Sequence, residues 1–369
     1  MGAVMSTNEA VQRNKTFVEN IYRKGPFEGH AFMVLPVFQR AVDHPDYFFT
    51  TSDKPVANWV PDIVENYARH AKFNEAVADH SVPCARMTTG THIYAAAFGC
   101  EANCYPDSPP CAVPLVRTAL EADKLKKPDI WKSPSLYRVF ELADALRKEL
   151  GSDVFLGPPD MQSGFDTAAL VWDKTGFLCA MADEHESGAV RRLVARCAAL
   201  FKEFLVELRR EFPNCCPSHY PPIWTPPGMA PWLSNDECGA FGVEMFESFC
   251  LPELIDLAET FGGLGMHCCA DADHQFESFK QIPNLYALNR VPPANRDTSP
   301  TAFLPLLQAF SGPDDPVLAL VTPAVDTVRF LLENAGKATR FIFVRPNSTP
   351  EEAREWLDGC REAARAGLS

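Results

Sequence analysis

Gly262-Gly263-Leu264-Gly265-Met266-His267-Cys268-Cys269 is the stretch on which the reading of this chain turns. Small and apolar residues follow an amphipathic segment and stop abruptly at Asp271-Ala272-Asp273-His274, the pattern of a short buried strand. Residues two apart in a strand share a face. His267 and Cys269 therefore point the same way at the strand's carboxyl end, and Cys268 points the other way. An imidazole and a thiolate converging there make half of a tetrahedral zinc site. The bland alternative is a hydrogen-bonded histidine beside two buried thiols, since free cysteine packs as a small hydrophobe.

Outward from this stretch, short apolar runs alternate with helical spacing. Strand centres fall at Val34, Arg86, Phe155, Leu233, Met266, Ala287, Ala319 and Phe343, and most are followed by a helix. Helical spacing covers 54–80, 134–150, 164–212, 242–261 and 324–335. Thr349-Pro350-Glu351-Glu352 opens a final helix, with Thr as N-cap and acids in the first turn. Ile93 to Phe98 also reads as strand, and Gly99 to Pro114 as a long loop. Eight strand–helix units predict an α/β fold: a single (β/α)8 TIM barrel over 29–369 with an N-terminal helical extension over 1–28. A doubly wound open sheet is the structural alternative, but no G-x-G-x-x-G follows a strand, so a dinucleotide site has no support.

The totals narrow the function classes. A chain of 369 residues, 46% hydrophobic and 22% charged, has the composition of a globular protein with a sizeable core. The net charge of −14 argues against nucleic-acid and anionic-membrane partners, which need basic patches. Met1 to Lys15 is too polar for a signal peptide, and no apolar run approaches the length of a membrane span. Thirteen cysteines, an odd number without a secretory signal, read as reduced thiols of a cytoplasmic protein. The apolar surface of the helices leads us to expect a homodimer.

In such a barrel the chemistry sits at the carboxyl ends of the strands. The polar residues there are Gln39, Arg40, Thr88, Thr89, Asp160, Gln162, Asn235, Asp236, His267, Cys269, Asn289, Arg290, Thr322, Arg345 and Asn347. About half of them meet water merely because strand ends must. Asp236, His267 and Cys269 form the informative cluster, on strands expected to be neighbours.

The run from Phe246-Glu247-Ser248-Phe249 through Leu251-Pro252-Glu253-Leu254 to Gly265-Met266-His267-Cys268-Cys269 resembles the uroporphyrinogen decarboxylase superfamily. So do Gly157-Pro158-Pro159 with Phe165-Asp166-Thr167-Ala168-Ala169-Leu170, and Ala97-Phe98-Gly99-Cys100-Glu101. The superfamily contains true decarboxylases and corrinoid-linked methyltransferases. Decarboxylases carry an R-x-P-x-W-x-M-R-Q-A-G-R stretch whose arginines bind substrate carboxylates. Here the corresponding residues are Phe32-Met33-Val34-Leu35-Pro36-Val37-Phe38-Gln39-Arg40, with Arg40 the only arginine, too few for a polycarboxylate.

The methyltransferase branch binds zinc through H-x-C and a third, downstream Cys. His267-Cys268-Cys269 matches the H-x-C, but Arg345-Pro346-Asn347 stands where the third Cys is expected, and Cys360 lies too far into the final helix. Asp236, His274 or a loop thiol (Cys100, Cys104, Cys111) remains to complete the shell. The resemblance thus implies a zinc-dependent methyltransferase that moves a methyl group between a corrinoid, carried by a partner protein, and a small-molecule thiol or methyl donor. Asp236, His267 and Cys269 would be its catalytic residues, with His267, Cys269 and His274 as metal ligands. Gln162, Asp166, Asn235 and Asn289 would contact substrate, although Asp166 serves equally well as a helix cap. The alternatives are a cofactor-free carboxy-lyase acting on a tetrapyrrole or other carboxylate, and a non-catalytic binding barrel.

Overall fold

The computed structural model describes residues 2–37, 48–105, 108–292, 299–321 and 323–367. Gln39, Arg40 and Thr322, named among the strand-end residues, lie outside the described residues, as does the side chain of Asn347. Ten strands are present among the described residues: β1 (Ala31–Pro36), β2 (Ala85–Arg86), β3 (Ala102–Tyr105), β4 (Ser108–Ala112), β5 (Leu156–Gly157), β6 (Trp232–Ser234), β7 (Leu264–Cys268), β8 (Leu285–Arg290), β9 (Val317–Val321) and β10 (Phe341–Ser348). Six of them form a parallel sheet in the order β1-β10-β9-β8-β7-β6. β2 and β5 form a second parallel pair, and β3 and β4 an antiparallel hairpin.

The protein is thus α/β with a parallel sheet, but the ladder does not close into a ring among the described residues. At the β6 edge the chain after β5 continues the sheet: Ser234 N donates to Met161 O at 2.7 Å and Ser163 N to Ser234 O at 3.0 Å. Between β1 and β2 the strand ladder is replaced by a turn and a side chain. His80 N donates to Phe32 O at 3.0 Å, and the Asp79 carboxylate accepts Val34 N at 2.6 Å. Burial raises Asp79 to about 6.

Strand alternation divides the core in two. Phe32, Val34, Leu233, Met266, Leu288, Leu318, Leu320, Phe341 and Phe343 face the helices. Ala31, Met33, Leu35, Trp232, Ala287, Ala319, Ile342 and Val344 belong to a separate, inner cluster. Val18, Ile21 and Tyr22 of the N-terminal helix Gly2–Tyr22 join that inner cluster. Tyr22 packs edge-on against Trp232 and Tyr286, and its hydroxyl lies 3.2 Å from Thr225 Oγ1. Gly265 leaves room for Trp232 in this layer: a Cβ there would come within 2.8 Å of the indole.

Two expectations from the sequence are corrected. Ile93 to Phe98, read as strand, is a helix over Ile93–Ala97. Its alanines are strong helix formers, and Tyr94 meets Phe201 and Phe204 of the long helix Ser187–Glu211 edge-on, a contact between helices. Within Gly99 to Pro114, read as loop, stands the β3–β4 hairpin. The helical region 164–212 is three helices, Gly164–Val171, Lys174–Ala182 and Ser187–Glu211, the first two started by the side-chain caps Ser163 and Asp173. The segment around Pro252 divides into helices Val243–Phe249 and Leu251–Phe261. Thr349 and Glu352 exchange backbone bonds as a capping box, as the last helix requires.

Candidate metal centre and cavity

His267 leaves β7 on the inner face and Cys268 on the outer one, where its sulfur lies 3.7 Å from Cys238 Sγ. Beyond the strand the chain turns so that Cys269 rejoins the side of His267. Asp236, just past the neighbouring β6, completes the group. One ligand atom from each of Asp236, His267 and Cys269 lies within 4.8 Å of the others.

Each member is held by identifiable bonds. Asn289 Nδ2 donates to Ala319 O at 2.6 Å, which fixes the amide and turns its Oδ1 toward His267. His267 Nδ1 lies 2.6 Å from that oxygen and so carries the proton. The Nε2 lone pair then faces Asp236 Oδ1 at 3.7 Å, too long for a hydrogen bond. Asp236 Oδ1 accepts Cys269 N at 2.7 Å, and Asn235 N donates to His267 O at 2.9 Å, joining the two strand ends. Behind them the Asp166 carboxylate accepts Asp236 N at 2.7 Å and Glu237 N at 3.1 Å.

The electrostatics favour a cation. Burial, reinforced by the Asp236 carboxylate, pushes both the Cys269 thiol and the Asp166 carboxyl up. Burial, with a smaller contribution from Asp236, raises Asp160 to about 7. A lone pair and a carboxylate facing each other across 3.7 Å, beside a thiol, can hold a cation between them. Zinc fits the donor set of one nitrogen, one sulfur and one oxygen with a fourth position free, and tetrahedral bonds of about 2.0–2.3 Å place nitrogen and oxygen ligands about 3.3 Å apart.

Sequence reasoning left several third ligands open, and the structure brings Asp236 to the pair. His274 is elsewhere: its Nε2 lies 3.0 Å from Phe241 O, next to the Gln275 amide. Cys360 is buried in the core. The expected substrate contacts separate as well. Gln162 lines the cavity and donates to the Asp160 carboxylate. Asp166 and Asn235 are buried behind the site, and Asn289 orients His267.

Beside the triad opens a cavity of about 580 Å³. Asp236, His267 and Ser234 form one wall. Arg86, Cys84, Asp160 and Thr89 stand at the ends of β2 and β5, and Trp59, Ile63 and Tyr67 belong to the segment running into helix Val60–Val77. His219 and Tyr220 come from the Pro-rich approach to β6. The Tyr220 ring lies 4.7 Å from that of His267, and His219 Nε2 is 2.9 Å from Ser234 Oγ. Burial, with His267 and Arg86 nearby, lowers the His219 pKa well below its ordinary value. Sequence reasoning missed Arg86, His219 and Tyr220. A charged residue inside the buried run Cys84-Ala85-Arg86-Met87 was the available signal for the first. The other two lie in an irregular segment without periodicity.

No protein-family model matches the chain. No curated protein matches it either. Among solved structures it is similar to a methyltransferase from Methanosarcina mazei, with a TM-score of 0.59 and 13% identity over 96% of this chain and 99% of that one. At that identity the likeness concerns the fold alone.

Proposed function

We propose that this protein is a zinc-dependent methyltransferase, built on an eight-stranded (β/α)8 barrel whose ladder is interrupted between β1 and β2. It moves a methyl group between a corrinoid on a partner protein and a small thiol or methyl donor bound in the cavity. The observation that carries this reading is the convergence of His267 Nε2, Asp236 and Cys269 beside a cavity of substrate size. The similarity in fold to a methyltransferase agrees with it.

Bound zinc would lower the pKa of a substrate thiol and present it as thiolate at neutral pH. The chain's residues do the rest. Asn289 keeps the His267 lone pair turned toward the site, and Asp166 fixes the backbone that carries Asp236. Tyr220 packs edge-on against the His267 ring, 4.7 Å between centroids, and helps hold it in place.

The test is the metal content of the purified protein, with methyl transfer from methylcobalamin to a panel of small thiols followed by absorbance. About one zinc per chain is expected, lost in His267→Ala and Cys269→Ala together with the transfer. A metal-free wild type that binds no added zinc overturns the reading.

Asp160 favours a second reading. A carboxyl raised to about 7 in the cavity wall holds a proton that a carboxy-lyase delivers to the carbon losing CO2. Release of CO2 by chelator-treated protein, abolished in Asp160→Asn, would promote it over methyl transfer.

A further inference from the structure

Arg86 is the only lysine or arginine among the described residues lining the cavity. Its guanidinium makes one hydrogen bond, from Nη2 to His219 O at 2.9 Å, and no ion pair among the described residues. Arg138, less exposed than Arg86, donates to Phe49 O and Lys54 O, and Arg290 pairs with Asp273 at 2.6 Å. Arg209 also leaves a buried Nη1 without a hydrogen-bond partner among the described residues, but it lies outside the cavity lining. The groups around Arg86 do not neutralise it. Cys84 and Cys215 are buried thiols whose pKa values burial pushes up, and Cys216 is buried beside them. Arginine stays protonated even when buried, so its donors aimed into a cavity call for an anion.

The neighbouring strand makes room for this side chain. Arg86 pairs in register with Gly157 of β5. A Cβ at Gly157 would lie 3.0 Å from Arg86 Cγ and 3.3 Å from Cζ, so the arginine stem crosses β5 where no side chain stands. Apolar walls adjoin it: Phe49, Trp59, Ile63, Tyr67 and Tyr220. His219 links this end of the cavity to the metal centre, with its carbonyl on Arg86 and its ring centroid 6.1 Å from that of His267.

We infer that Arg86 anchors an anion subsite and that the cavity takes a small carboxylate with an apolar body. The carboxylate sits on the guanidinium, the body lies along the aromatic wall, and the far end reaches His267 and Asp236. Only this last point rests on the methyl-transfer reading. A planar fork and a carboxylate match bidentately, and the apolar wall then favours a carboxylate with a body over a bare oxyanion such as sulfate. Gly157 acts as a positioning residue for Arg86.

Calorimetric titration of the full-length protein with benzoate, benzamide and inorganic sulfate tests the subsite. Benzoate binds, and benzamide and sulfate bind at least about tenfold more weakly, the scale of a charge-assisted hydrogen bond. Arg86→Gln abolishes the preference for benzoate over benzamide, Arg86→Lys keeps part of it, and Gly157→Ala weakens benzoate by displacing the guanidinium. Should Arg86→Gln fail to fold in a thermal melt, the discrimination shown by the wild type still decides. Chelator-treated wild-type protein retains benzoate binding, so a failure of the metal reading is distinguishable from a failure of this one. Absence of benzoate binding, equal binding of benzoate and benzamide, sulfate binding as tight as benzoate, or a preference that survives in folded Arg86→Gln overturns the inference.

Discussion

His267 shows how a single hydrogen bond sets which nitrogen of a buried histidine is left free to bind a metal. The Asn289 amide is locked by Ala319 O, so the proton sits on Nδ1 and the lone pair on Nε2. Without that lock the ring is free to present either nitrogen. Asn289→Ala is therefore expected to weaken zinc binding by about 10–100-fold while leaving the ligands in place. Competition with a chromophoric chelator measures this, and an unchanged affinity would show that the ring is oriented by packing alone. Sequence pattern placed His267 and Cys269 on one face, because alternation along a strand is a local property. It assigned Asn289 to substrate, because nothing local says that an amide two strands from β6 turns toward a histidine.

At the scale of elements, the loop after β6 is shaped by a carboxylate from another helix. Asp166, in the first turn of Gly164–Val171, accepts the amides of Asp236 and Glu237 and so sets where the Asp236 carboxylate points. The sequence offered Asp166 as substrate contact or cap. It is buried as an acceptor for a loop about seventy residues away, while Ser163 caps its own helix. Asp166→Asn keeps one acceptor oxygen and turns the other into a donor facing an amide, at a cost of about 1–3 kcal/mol. Chemical denaturation should show that loss, and zinc affinity should fall with it although no ligand has been changed. Wild-type zinc affinity in a destabilised Asp166→Asn would mean that the loop finds its place without the carboxylate.

Across the whole molecule, buried acids link stability to pH. Glu253 accepts Phe165 N at 2.6 Å from inside the core, and burial raises it to about 8 from an ordinary 4.5. Between those values the folded state holds a proton that the unfolded chain has released, so stability falls as pH rises through this window and levels off above it. Asp79, raised to about 6, and Asp160, raised to about 7, act in the same direction. Burial holds His30, His70, His80 and His92 down to about 4, so they oppose this trend below their ordinary 6.5. From about pH 7 to about pH 8 melting temperatures are expected to decline, and to decline less in Glu253→Gln. Parallel curves for the two proteins would show that Glu253 keeps its charge in the fold.

The sequence by itself determined the α/β class, five of the eight parallel strands to within two residues of their observed limits, and the shared face of His267 and Cys269. These follow from periodicity, cap residues and apolar runs, all written within about ten consecutive residues. Only the tertiary structure decided that Asp236 rather than His274 joins the pair, that Ile93–Ala97 coils against the long helix, and that a side chain and a turn stand between β1 and β2. It alone placed Arg86 against a glycine of the next strand, facing a cavity. Each of these depends on groups tens of residues apart meeting at short range, and local periodicity carries no record of which distant group fills a given space.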